Sequence, residues 1–164
     1  MAKKIHNVKP VTVDKGSMRL ELNTERLNRN LNDAQFALDS AIMTSMQPFM
    51  PMDTGQFIDR VKTKNGTLAG TGEVYAAVGP EGRFLYEGYV MVDSVTGKGP
   101  MVIPNSPGES ILRFRKGAKL KPSNRKISYY RGAHRQATDH WFEAAKKKDE
   151  KVWMRAVDQE MNNP

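Results

Sequence analysis

Residues 49–57, Phe-Met-Pro-Met-Asp-Thr-Gly-Gln-Phe, divide this chain into a part that can be one long helix and a part that cannot. Pro48 and Pro51 each lack a backbone N–H and disfavour helical backbone in the residue before them. A helix arriving from the N-terminal side must therefore stop here. Asp53 or Thr54 can then accept from exposed N–H groups and cap a new turn, and Gly55 supplies permissive backbone. Pro51, Asp53, Thr54 and Gly55 are thus the expected structural pivot, with Met and Phe side chains packed beneath the joint. Asp53-Thr54-Gly55 is also the triplet of aspartic proteases, so a hydrolase reading starts at the same place.

Ahead of the pivot, residues 1–17 are polar, with Val8, Val11 and Val13 alternating around Pro10, which reads as an extended arm or an edge strand. Met18–Leu22 alternates apolar and polar residues with period two, the pattern of a half-buried strand. Asn23 offers a helix cap, and Glu25 sits in the first turn where the helix dipole favours it. Leu27, Leu31, Ala34, Leu38, Ala41 and Ile42 then recur at three- and four-residue steps, one apolar stripe on a helix expected to end near Gln47. Asn28, Asn30, Asn32 and Asp33 weaken helix propensity on the other face, so packing must hold this helix.

Beyond the pivot, residues 56–61 read as a short helix before the chain turns extended. Asn65-Gly66 tolerates positive φ at both positions and is the strongest hairpin signal in the sequence, with residues 67–71 pairing back. Residues 72–79 supply another strand, Pro80 to Gly82 a turn, and Phe84–Val92 a strand or a strand with a short helical lead-in. Residues 94–126 are rich in Gly, Pro and Ser and read as a long loop, with Met101–Ile103 and Ile111–Phe114 as short strand candidates. Lys126–Tyr130 is a last strand candidate. Trp141, Phe142, Ala145, Val152, Trp153, Ala156, Val157 and Met161 fall on one face of a second long helix, with Lys146–Lys148 and Glu150 largely opposite. The expected architecture is an arm (1–17) and one α+β domain (18–164). In it an antiparallel sheet of about four to five strands packs against the two long helices. Leu27, Leu31, Leu38, Trp141, Phe142 and Trp153 are its expected core.

At 164 residues the chain suits one packed core. No apolar run approaches the ~20 residues of a membrane helix, and the first residues lack the apolar segment of a signal peptide. Cysteine is absent, which removes disulfides and thiolate chemistry. His6, His134 and His140 have no spacing that places two on one helix face, so no metal or other cofactor is expected, and His134 and His140 read as solvent-facing or capping the last helix. An aspartic hydrolase needs two carboxylates sharing a proton. Here the triplet follows a helix end rather than apolar strands, and Ala77-Val78-Gly79 matches the later element of such enzymes poorly, so Asp53 reads as a cap and no enzyme activity is expected.

The net charge of +8 is concentrated. Arg113, Arg115, Lys116, Lys119, Lys121, Arg125, Lys126, Arg131 and Arg135 occur with no Asp or Glu among them. Such a block needs solvent, anions or an acidic neighbour. Phe114, Tyr129 and Tyr130 interleave with it, so phosphate attraction plus base stacking is an available use, although no groove-reading motif accompanies them. A basic nucleic-acid-binding module is therefore one reading of the chain.

Another comes from residues in a fixed order: Met50-Pro-Met-Asp-Thr-Gly55, Tyr75-Ala76, Phe84-Leu-Tyr-Glu-Gly-Tyr-Val-Met-Val-Asp93, His134, and Trp141-Phe-Glu-Ala-Ala-Lys146. Over about residues 18–160 this order resembles the minor capsid or head–tail joining proteins of long-tailed bacteriophages and their prophages; residues 97–126 depart from that pattern. The resemblance implies a virion structural protein made in the host bacterial cytoplasm. It would form a ring at the neck or tail-completion position, with copies of itself, the connector and tail-tube or tail-terminator proteins as partners. Arg113, Arg115, Lys116, Lys119, Lys121, Arg125, Lys126 and Arg131 are then candidates for contact with neighbouring subunits or with DNA in the channel.

Overall fold

The computed structural model describes residues 7–79, 81–106 and 109–163. The first six residues of the expected arm, including His6, and Pro80 of the expected turn lie outside them. The fold is α+β, with four α-helices and small antiparallel sheets among the described residues. Helix α1 spans Glu25–Met46, α2 Gln56–Gly66, α3 Gly82–Glu87 and α4 Trp141–Met161. A 3-10 turn, Gln47–Phe49, closes α1 as its prolines require. Strands β1 (Val11–Lys15), β2 (Met18–Leu22), β3 (Tyr89–Asp93), β4 (Met101–Ser106), β5 (Glu109–Arg113) and β6 (Leu120–Lys126) complete the order.

The two long helices run antiparallel and pack on each other rather than on a common sheet. At one end the Asn30 amide donates to Met161 O at 3.1 Å; at the other the Trp153 indole donates to Ser45 Oγ at 2.9 Å. The core lies at the second end and beneath the pivot. Met46, Phe49, Met50, Ile58, Val61, Trp141, Ala145 and Trp153 form it, with Leu38, Ile42, Met52, Phe57 and Phe142 packed around them. The expected packing of Met and Phe side chains under the joint is what is found. Two expected core positions are not core. Leu27 is 42 % exposed, because it lies in the first turn of α1, where α4 is ending, and Leu31 is half-buried. Val152, at 53 % exposure, points away while its neighbour Trp153 points in.

The strongest hairpin signal is overturned. Asn65 and Gly66 end α2, which continues from Gln56 because Ile58, Val61 and Asn65 share its buried face. Asn65 then replaces a strand partner. Its Oδ1 accepts from Tyr75 N at 2.7 Å and its Nδ2 donates to Tyr75 O at 2.9 Å. One side chain thus satisfies both backbone groups of Tyr75, and residues 72–79 follow an irregular path instead of the expected strand. Residues 67–71 are turn, held by Asp39, a buried carboxylate on α1. Its Oδ2 accepts from Gly70 N (2.8 Å) and Gly72 N (3.0 Å), and its Oδ1 accepts from Gln35 Nε2 (2.7 Å).

The expected single sheet is replaced, among the described residues, by three separate two-stranded ribbons: β1–β2, β3–β6 and β4–β5. Most of the expected long loop is therefore strand. Pro104 and Pro122 sit within β4 and β6, which a two-stranded ribbon tolerates because each strand has one unpaired edge. The last strand is Leu120–Lys126, not Lys126–Tyr130. Phe84–Val92 does divide into helical lead-in and strand, as α3 and β3. β1 pairs with β2 across the expected boundary between arm and domain. Neither is half-buried; every residue of both is exposed.

Between α3 and β3 the chain passes through Gly88 at φ 78°, where an added Cβ would lie 2.9 Å from Asp139 Cβ. Gly88→Ala therefore combines left-handed strain with a clash against the Asp139 side chain, and should cost about 2–3 kcal/mol in chemical denaturation. Gly97→Ala, at φ 67° with nothing within 4 Å, should cost only about 1 kcal/mol. Equal costs would show that the contact with Asp139 does not matter.

Candidate functional site

The pivot is clamped from outside by residues 134–140. His134 Nδ1 donates to Met50 O at 2.8 Å, Thr138 N donates to Phe49 O at 3.0 Å, and His140 N donates to Tyr86 O at 2.9 Å. His134 is thus half-buried and bonded to the pivot rather than directed to solvent, and His140 occupies the N-cap position of α4 without a side-chain cap bond, at φ 45°. Capping at the pivot also differs from expectation. The N-cap of α2 is Gly55, at φ 85°, while Asp53 and Thr54 are exposed and make no side-chain hydrogen bond with a described residue. Gly55 supplies the left-handed turn, so the reversal needs backbone freedom more than a cap. Pro51, Met52, Phe57, Leu85 and Tyr129 line a groove of about 210 Å³ here, and Asp53 is the one carboxylate on its walls.

Behind the pivot, Trp141 is fully buried and donates its indole N–H to Ala76 O at 2.8 Å. Phe57 and Tyr86 meet it edge-on, with ring centroids 5.8 and 4.9 Å away. The Tyr86 hydroxyl donates to Glu143, and burial followed by that carboxylate raises its pKa well above the ordinary tyrosine range. Tyr129 is pushed up to about 12, by burial first and then by the charge of Asp139.

The basic block forms the surface of the ribbon region. Arg113 ends β5, Arg115, Lys116 and Lys119 lie in the turn to β6, and Lys121, Arg125 and Lys126 lie on β6. All are exposed residues, but two are committed to the fold. Arg131 Nε donates to Ala137 O at 3.3 Å. Arg115 forks onto Asp93, whose side chain is almost wholly buried. The other six make no ion pair with a described side chain. Lys121 and Lys126 pair opposite Val92 and Tyr89 of β3, and Arg125 lies in the irregular stretch of β6 between the paired positions. The arrangement is a band of cations on a narrow ribbon, suited to phosphate or carboxylate, and at its end Lys126, Ser128, Tyr129 and Arg131 line an open, polar cavity.

Asp93 anchors that band. Its Oδ1 accepts from Val95 N at 2.8 Å, and backbone bonds from Asp93 N to Lys98 O and from Ser94 N to Lys119 O bind β3 to the turns on both sides. The Arg115 hydrogen bond, followed by that of Val95 N, lowers the Asp93 pKa from 3.8 to about 2. A depressed carboxylate pKa stabilises the fold above the unfolded value, and that contribution is lost as pH falls through the folded value. The stability difference between wild type and Asp93→Asn should therefore be constant from neutral pH to about 4 and shrink as pH falls to about 2. Equilibrium unfolding at several pH values measures it. A pH-independent difference would mean that the pair adds nothing to the ribbon. Sequence reasoning assigned Asp93 no role, although Asp followed by Ser-Val-Thr-Gly is an Asx-turn signal.

No group of three or more His, Asp or Glu able to hold a metal ion occurs among the described residues, and no described helix is long and apolar enough to cross a membrane. Comparison with protein-family models, curated proteins and solved structures returned no match.

Proposed function

We propose that this chain is a structural subunit of a tailed-bacteriophage particle, forming a ring at the head–tail interface that joins the capsid connector to the tail. The ordered resemblance along the chain names the class. The observation that carries the reading is a small helical core beside strands that form no common sheet: among the described residues they make three separate two-stranded ribbons. Isolated two-stranded ribbons are marginal in water, so such elements call for neighbouring chains to complete them. Connector and tail-tube or tail-terminator proteins are the further neighbours, and the ring places the chain in the virion neck. No chemistry is required of Asp53 in this role.

Deleting the gene from a phage or prophage that carries it should yield filled heads and separate tails that do not join, counted by electron microscopy. Joined, infectious particles made without the chain would overturn the proposal.

A second reading, a basic nucleic-acid-binding module, is favoured by the band of exposed cations from Arg113 to Lys126. It requires a monomer that binds duplex or single-stranded DNA with affinity falling steeply with salt, measured by fluorescence anisotropy. Binding of that kind by a chain absent from particles would replace the first reading. In a ring the same band can face packaged DNA or an acidic neighbour.

A further inference from the structure

Asn65-Gly66 is the only Asn-Gly pair in the chain. An asparagine followed by glycine is prone to spontaneous deamidation, because no side chain crowds the backbone nitrogen that attacks it. The step would run as follows at this pair. Gly66 N gives up its proton and bonds to Asn65 Cγ, closing a five-membered succinimide ring, and the Asn65 amide nitrogen leaves as ammonia. Water then adds to one of the two ring carbonyls. The ring opens to aspartate, or to isoaspartate, whose main chain runs through the former side-chain carbon. Water is the sole co-reactant, and nothing is oxidised or reduced.

The fold restrains this step. Asn65 is helical and only 6 % exposed. Its carboxamide is held through both atoms by Tyr75, its Nδ2 also lies 3.1 Å from Met43 Sδ, and its backbone O accepts from Leu68 N at 3.0 Å. Ring closure requires the side chain to leave these partners and the Asn65 Cα–C bond to rotate out of the helical range. Yet the pair stands at the C-terminal end of α2, where helices fray. The space around the Gly66 α-carbon is open, and a groove of about 290 Å³ bounded by Met43, Thr44, Lys62 and Gly66 gives water access to the pair. Opening of one helical turn therefore suffices to release the reactants.

The product cannot replace Asn65. A carboxylate only accepts hydrogen bonds, so Tyr75 O loses its donor and faces a negative oxygen instead. Isoaspartate also lengthens the main chain and breaks the helical repeat. Tyr75 belongs to the irregular segment 72–79, which has no strand partner to hold it. Ala76 O of that segment accepts from the Trp141 indole, and Val74, Ala77 and Val78 pack against the core.

We propose that Asn65-Gly66 is a deamidation site gated by local opening at the end of α2, and that its conversion unlatches residues 72–79. The change runs one way, because the ammonia is lost to solvent. It goes beyond the assembly reading and rests on the fold alone.

The full-length chain is held at mildly alkaline pH, folded in buffer and unfolded in urea, and conversion at each asparagine is read by peptide mass mapping. Asn65 should convert at least about a hundredfold more slowly in the folded chain, and faster in step with exchange of the Leu68 amide as low urea is added. Equal rates in the two states would overturn the gating. Conversion in urea no faster than at Asn28, which precedes arginine, would overturn the site itself. Gly66→Ala suits the helix and the open space. It should leave the melting temperature no lower than wild type and slow conversion in urea to the rate of the other asparagines; unslowed conversion would also overturn the site. Asn65→Asp reproduces one product. Chymotrypsin should cut after Tyr75 at least about tenfold faster in this variant, and in wild type aged in urea and refolded, while cleavage within α4 keeps its rate. Unchanged cleavage after Tyr75, or equal quickening in α4, would overturn the latch.

Discussion

Replacing Trp141 with alanine should cost about 3–5 kcal/mol, a large part of the stability of an ordinary domain. The indole is the largest fully buried side chain and the place where the four parts of the core meet. Phe57 reaches it from α2, Tyr86 from α3, and Ala76 from the irregular segment through the indole hydrogen bond. Alanine would leave a cavity among these rings and an unpaired Ala76 carbonyl, and neither α2 nor α3 can collapse into the space while the pivot holds them. The melting temperature should fall by roughly 10 °C or more. Trp141→Phe keeps most of the apolar contact but not the donor, and should cost about 1–3 kcal/mol. Calorimetry of the two variants separates packing from the hydrogen bond. A loss below about 1 kcal/mol for Trp141→Ala would mean that the core is not organised around this ring.

Asp39→Ala should cost about 3 kcal/mol, through a different route. The Asp39 carboxylate lies in the interior of the fold and is satisfied by Gly70 N, Gly72 N and the Gln35 amide. Gly70 and Gly72 have φ of 84° and 76°, so the loop turns its amides toward α1 by using backbone that other residues rarely adopt. Without the carboxylate both amides lose their acceptor. Asp39→Asn retains an acceptor oxygen but not the charge, and should fall between wild type and alanine. Hydrogen exchange should then quicken at Gly70 and Gly72 before it changes in α4. Uniform quickening across the core would show that Asp39 acts on the whole fold rather than on this loop.

The long helices were legible because burial of one face leaves a three- and four-residue rhythm, and α1 stops where Pro48 and Pro51 make it stop. Their mutual packing was less legible, since a stripe does not state what covers it. Leu27 lies on the stripe and yet near the end of the helix pair. The Asn65-Gly66 turn chemistry was misleading because Asn65 is used for its side-chain amide, and tertiary burial of Ile58 and Val61 carries the helix through it. Asp39 lies beside the apolar stripe rather than within it, next to Leu38 in the sequence, so the stripe itself gave little sign of its role. Strand partners were the least legible part. Period two marks a strand but not its neighbour, and Pro104 and Pro122 look like loop residues until each ribbon is seen to be all edge. The basic block was visible as composition, whereas the withdrawal of Arg115 onto Asp93 depends on contacts across 22 residues.

A cryo-electron microscopy reconstruction of the head–tail junction in particles from a phage encoding this chain tests the assembly claim most directly. The expected result is a closed ring of copies around the channel, with the two-stranded ribbons covered by neighbouring chains and the pivot packed as it is in the single chain. A complete junction that contains no copy of the chain would contradict the account.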